Sequence, residues 1–199
     1  MGTYTPHFNL YKPSIDETGW GDKVNQNFDT IDEKLFIAGL EKITEIELTG
    51  NVNYVLFENL NGNEDWFYVI YFTTKNPTSN NVKYYLFINN DTDTANYYSQ
   101  GLLASAGSVT SDRVEEPVIA HATPEEATFC QISITKDPFG YFRAFSFTSF
   151  DAANIVKFEI ASVCYSLTID NITSLTIQSS VANGIGEGSK FILFRARKG

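Results

Sequence analysis

From residue 41 onward the chain is a succession of short apolar runs broken by clusters of Asn, Gly, Pro, Ser and Asp, with no helical period between them. That pattern leaves few folds open, because a strand repeats its faces every two residues and a helix every ~3.6. Ile43 to Leu48 alternates with period two, and Gly50-Asn51 marks the turn before Asn53 to Phe57. Asn61-Gly62-Asn63 precedes an aromatic run, Trp66 to Thr73, and the breaker Asn76 to Asn81 separates it from Val82 to Asn89. Residues 90–127 are weakly patterned. Strand-like runs resume at Phe129 to Thr135, Tyr141 to Phe150, Ile155 to Tyr165, Ser174 to Ser179 and Lys190 to Phe194, with Asp137 to Gly140 as a turn. In the first of these, Phe129, Gln131 and Ser133 oppose Cys130, Ile132 and Ile134. In the second, Arg143, Phe145 and Phe147 oppose Phe142, Ala144 and Ser146, so both faces carry aromatics. About nine strands spaced roughly every 10–15 residues predict a mainly β domain over 41–199. A jelly-roll-like β-sandwich is favoured over an immunoglobulin-like one, whose paired cysteines and buried-Trp spacing are missing.

Residues 1–40 differ. Pro6, Pro13 and Gly19 break any period up to residue 19, which reads as an extended arm. From Trp20 to Leu40, Val24, Phe28, Ile31, Leu35 and Ala38 recur at steps of three and four, the stripe of one short amphipathic helix. Asp22 is the candidate N-cap and Gly39 the stop. The stripe is too short to hold a coiled coil alone, so it must meet the β-domain or a neighbouring copy. Trp20, Val24, Phe28, Ile31 and Leu35 are therefore the candidate assembly residues. A homo-oligomer is expected, and a closed trimer would complete the seam.

Charge and composition exclude several classes. The net charge of −10 repels phosphate backbones, so nucleic acid is not an expected partner. The basic residues Arg195, Arg197 and Lys198 sit at the C-terminus, where they read as solubilising a last strand. No apolar run approaches the ~20 residues that cross a bilayer, and the N-terminus does not resemble a secretory signal, so synthesis in a cytoplasm is expected. Aromatics make up 15% of the chain, with 16 Phe and 11 Tyr, which suits pleated, half-buried surfaces. Cys130 and Cys164 lie in strand-like runs and read as buried thiols; whether they pair is open.

The groups from which an active site is made are sparse. His7 and His121 are the only histidines, and neither stands at ligand spacing from a cysteine. No nucleophile motif accompanies them. Gly184 to Gly188 precedes a strand, so a glycine-permitted hairpin or bulge is favoured over a phosphate loop. Asn89 to Asp93 concentrates oxygen donors, yet lacks the glycine and distal glutamate of an EF-hand; Asx residues bonding their own backbone are the favoured reading. Glu115-Glu116 and Glu125-Glu126 read as solvated carboxylates. The glycosylation-like Asn90-Asp91-Thr92 and Asn171-Ile172-Thr173 are attributed to chance. The expectation is no enzyme, no cofactor and no metal.

Two stretches carry a resemblance. Tyr4 to Pro13, with Asn9, Leu10, Lys12 and Pro13, leads into Trp20, Val24, Asn25, Asn27, Phe28, Asp29, Ile31 and Asp32. This resembles the arm-and-helix segment near the start of tailed-phage tail, fibre and baseplate proteins. Leu86 to Tyr98 and Asn183 to Phe194 look like pieces of phage virion proteins with jelly-roll-like domains, with Phe194 in place of a tyrosine. The resemblance implies a viral structural protein located in the virion: a phage tail part or a capsid decoration, often trimeric. Residues 1–40 would dock and oligomerise, on other virion proteins as well. The β-domain would be presented for host attachment, to a surface glycan or protein receptor. The alternative is a carbohydrate-binding β-sandwich module, with Trp66, Tyr97 and Tyr98 as the aromatics that stack on sugar rings.

Overall fold

The computed structural model describes residues 3–4, 10–12, 18–152 and 155–198. Among the described residues it is mainly β, with one α-helix, a short 3-10 turn at Thr94–Asn96 and two antiparallel sheets packed as a sandwich. The arm supplies a small antiparallel pair, β1 (Thr3–Tyr4) and β2 (Tyr11–Lys12). The helix α1 (Trp20–Ala38) follows. Its N-cap is Gly19 in the left-handed region, at φ 74°, and not Asp22, which falls in the first turn. Glycine enters that backbone region without the Cβ clash of other residues. Asp22 still sits where the helix dipole favours a carboxylate. Gly39 ends the helix as expected.

The strands of the sandwich are β3 (Glu41–Glu47), β4 (Tyr54–Phe57), β5 (Asp65–Lys75), β6 (Val82–Ile88), β7 (Tyr97–Ser105), β8 (Ser108–Val114), β9 (Val118–Ala122), β10 (Ala127–Lys136), β11 (Tyr141–Ala152), β12 (Ile155–Thr168), β13 (Leu175–Ser179) and β14 (Lys190–Arg197). The larger, eight-stranded sheet runs β3-β14-β5-β10-β11-β12-β7-β8, and the smaller, four-stranded one β4-β13-β6-β9. The chain crosses between sheets at most connections, so each sheet interleaves strands from both ends of the sequence. The hairpins β7–β8 and β11–β12 both widen the larger sheet.

The core lies between the sheets. Tyr68, Ile70 and Phe72 of β5, Cys130, Ile132 and Ile134 of β10, and Phe191 and Leu193 of β14 face Tyr84, Leu86, Ile119 and Ile177 of the smaller sheet. The alternation expected for β10 holds, with Cys130, Ile132 and Ile134 on its buried side. No described residue before Ile43 belongs to this core. Asn89 to Asp93 forms an Asx-stabilised turn. Asn89 accepts from the Thr173 and Ser174 amides, while the Asp91 carboxylate accepts from Tyr165, Asn96 and the Asp93 amide. Gly184 and Gly186 lie where the chain passes close to its neighbours. A Cβ on Gly186 would stand 2.7 Å from the Lys75 carbonyl oxygen, and one on Gly184 would collide with the Ser179 hydroxyl.

Candidate binding surface

On the eight-stranded sheet the period of two that buries one side of each strand pushes the other side outward. Phe129, Phe145, Phe147 and Phe158 stand there, each between 40% and 46% exposed. The strand registers arrange this face in rows. One row reads Val69, Ser133, Phe145, Ser162, Gln100 across β5, β10, β11, β12 and β7. The next reads Tyr71, Gln131, Phe147, Ile160, Leu102, and the third Thr73, Phe129, Ser149, Phe158, Ala104. Ile192 and Phe194 of β14 continue the first two rows past Tyr71 and Val69. None of these positions carries a charge. Phe145 and Phe147 meet edge to face, Phe147 and Phe158 lie stacked, and Tyr71 meets Phe194 edge to face.

Trp66, the second residue of β5, stands at one end of this face and is 67% exposed. A cleft of about 480 Å³ opens between it, Phe67, Phe145 and Arg143, with Ser133, Thr135 and Ser162 on its walls. A second cleft of about 550 Å³, lined by Lys136, Lys198, Asp65 and Asp137, adjoins the same Trp66. Lys136 donates to Asn63 Oδ1, and Lys198 to the Asn63 carbonyl, so both cations are fixed to the loop before β5. Arg143 donates through Nε to Asp137 at 3.1 Å, and its ring-side face covers Tyr141. Hydrogen bonds from the Tyr141 and Phe139 amides and the Arg143 side chain hold the Asp137 carboxyl below its ordinary pKa.

The other expected ligand aromatics divide. Tyr98 is half-buried, with the Arg113 guanidinium 5.8 Å from its ring centre. Tyr97 is wholly buried and cannot stack on an external ligand. Its hydroxyl donates to the Asp91 carbonyl and accepts from the Ile88 amide, which pins the start of β7 to the end of β6. In a run Tyr97-Tyr98 on one strand only one ring can face out, and the sequence alone does not say which.

The helix presents a second exposed apolar group. Val24 and Ile31 are half-buried, while Phe28 is 63% exposed. The side chains of Trp20 and Leu35 lie outside the described residues. The arm packs on the helix: Asn27 Oδ1 accepts from the Tyr11 amide at 2.7 Å, and its Nδ2 donates to the Tyr11 carbonyl at 2.6 Å. The Lys23 ammonium sits 4.1 Å from the centre of the Tyr11 ring.

Groups considered for chemistry are engaged structurally. His121 Nδ1 lies 2.9 Å from both oxygens of the buried Glu159. Glu116 accepts from Lys83 at 2.6 Å. Cys130 is buried, and burial pushes its thiol up to about 12. Cys164 is partly exposed and unpaired with Cys130. His7 lies outside the described residues. Comparison with protein-family models finds no match for this chain, and no curated protein matches it.

Proposed function

We propose that this chain is a structural subunit of a virion surface, not an enzyme. Its arm and helix dock on neighbouring subunits, and its β-sandwich is presented outward. The observation that carries this reading is the division between core and helix. The sandwich core draws no described residue from before Ile43, while α1 holds Phe28 in water. An amphipathic helix gains most of its stability by burying its apolar stripe, so a ring left exposed on that stripe is available to a partner. The resemblance of residues 4–35 to the coupling segment of tailed-phage structural proteins supports the virion setting. The strand order supports a jelly roll. With the hairpins β7–β8 and β11–β12 set aside, the sheets interleave as two Greek keys do, first with last and second with next-to-last.

Immunogold labelling of intact particles tests the location; particles that bind no antibody against the purified chain would overturn it. A chain lacking residues 1–38 should keep its melting temperature to within a few degrees and fail to enter particles. Its normal incorporation would remove the docking role.

A second reading, carbohydrate binding for host attachment, has its own observation: Trp66 stands exposed between two clefts lined with hydroxyls, lysines and carboxylates. Aromatic faces flanked by hydrogen-bonding groups suit sugar rings. A glycan array probed with the wild type and Trp66→Ala decides it, with binding lost in the variant.

A further inference from the structure

We infer that the outward face of the eight-stranded sheet is covered by a second copy of this chain. The inference deepens the assembly reading and rests on it for its biological setting, but its argument is the geometry of the face. Two of the three aromatic-bearing rows span six strands, from β14 to β7, and the third spans five and meets Lys190 on β14. At about 4.8 Å between strands and about 6.8 Å between alternate residues, the rows cover roughly 24 by 14 Å, or about 500 Å² with side-chain margins. A stable interface needs about 800 Å² from each partner, so the contact takes in the charged positions that border the rows as well, Glu45, Lys190 and Arg113. A face of this size matches the largest patch that a typical monomer exposes, and such a patch often has a function.

The occupant follows from the pattern on the face. Rings and small residues alternate along the rows: Ser133, Phe145, Ser162 in one and Phe129, Ser149, Phe158 in another. In these two rows each ring stands beside a serine on the neighbouring strand, and in the row between them Phe147 lies between Gln131 and Ile160. Sheets that stack face to face, about 10 Å apart, interdigitate in this way, with large side chains of one filling the gaps of the other. A face that carries both the rings and the gaps is complementary to itself, which is what an isologous contact requires. An anionic lipid surface would meet a chain of net charge −10. Aromatic enrichment with charge depletion at the centre is the composition of an interface core.

Light scattering coupled to size exclusion is the test. The wild type should show a multiple of 22.3 kDa, and Phe147→Lys should weaken self-association at least ~10-fold, because a charge is forced into the centre of the contact. Circular dichroism of Phe147→Lys checks that the exposed substitution leaves the fold intact. A second variant, Gln131→Cys, keeps every ring; a short bismaleimide should cross-link it between chains far more than the wild type, in which Cys164 is the partly exposed thiol. A monomeric wild type at high concentration would overturn the inference. So would a Phe147→Lys protein that stays fully associated, or a Gln131→Cys protein that cross-links no better than wild type. Because these are solution measurements, a soluble oligomer with unlabelled particles would refute the virion setting alone, and labelled particles built from a monomer would refute this inference alone.

Discussion

His121 on β9 and Glu159 on β12 tie the two sheets of the sandwich together, the imidazole Nδ1 standing 2.9 Å from each carboxylate oxygen. The glutamate is almost wholly enclosed, while the imidazole is about one-third exposed. Removing the histidine strands a carboxylate between sheets, and an orphaned buried charge costs more than the pair contributes. His121→Ala is expected to lower unfolding free energy by about 2–3 kcal/mol, discounted for the partial exposure of the imidazole. Glu159→Gln should cost less, since the amide is neutral and can still hydrogen-bond the ring. Chemical denaturation of the variants measures both; a larger loss for Glu159→Gln than for His121→Ala would contradict this account.

Asp91 governs the turn into β7, and its ionisation gives a pH signature. Burial pushes its pKa up, but hydrogen bonds from Tyr165, the Asp93 amide and Asn96 outweigh that and hold it below the ordinary value. A carboxyl whose folded pKa is depressed contributes stability above its unfolded pKa, near ~4, and loses that contribution as pH falls through the folded value. Asp91→Asn should therefore melt below the wild type at neutral pH. The gap should narrow under acid, below about pH 4. Thermal melts across pH 2.5–7 measure this, and a constant gap would show that the ionised form is not what stabilises the turn.

The sandwich was legible because most strands alternate. Cys130, Ile132 and Ile134 point inward and Phe129, Gln131 and Ser133 outward, as the period of two requires. What the sequence hid was the stretch 90–127, which holds β7, β8 and β9. β8 reads Ser108-Val-Thr-Ser-Asp-Arg-Val114 and is exposed along almost its whole length. An edge strand of this kind is defined by its partner's backbone and not by burial, so no hydrophobic period marks it. The expectation that Tyr97 faces a ligand failed for a related reason, since the strand that orients it was itself unseen. The outward aromatics were visible as residues, but only strand order and register bring Tyr71, Phe147 and Leu102 into one row.

Asn27 carries the contact between arm and helix. Its side-chain amide pairs with the Tyr11 main chain as a neighbouring strand would, donating and accepting at once. Asn27→Ala removes both bonds, each contributing about 0.5–1.5 kcal/mol. Amide exchange at Tyr11 should quicken about 10-fold or more, while exchange at Ile70 and Ile132 in the core stays the same. Equal acceleration throughout would mean that the arm is coupled to the global fold.

Phe28 separates the free chain from the assembled one. A fully enclosed phenylalanine costs about 3–5 kcal/mol on truncation to alanine, but here the ring is 63% exposed. Phe28→Ala in the isolated protein is therefore expected to cost under ~1 kcal/mol. Its incorporation into particles should fall sharply. A variant that melts as the wild type does and enters particles normally would place Phe28 outside the docking contact.

The thiols provide a last check on which side of each strand is covered. Cys130 faces inward between the sheets, beside the Thr148 hydroxyl, and burial raises its pKa to about 12. The thiolate is the reactive form, so this cysteine is both shielded and protonated at neutral pH. Cys164 lies on the opposite side of its strand, partly open, near the Arg143 guanidinium. Titration of the Phe147→Lys protein, whose outward face is free, with a thiol reagent at pH 7.5 should modify Cys164 within minutes and leave Cys130 intact. Denaturant should then release the second equivalent. Mass spectrometry of the labelled peptides identifies the site, and comparable native rates at both would mean that the core opens far more readily than its packing implies.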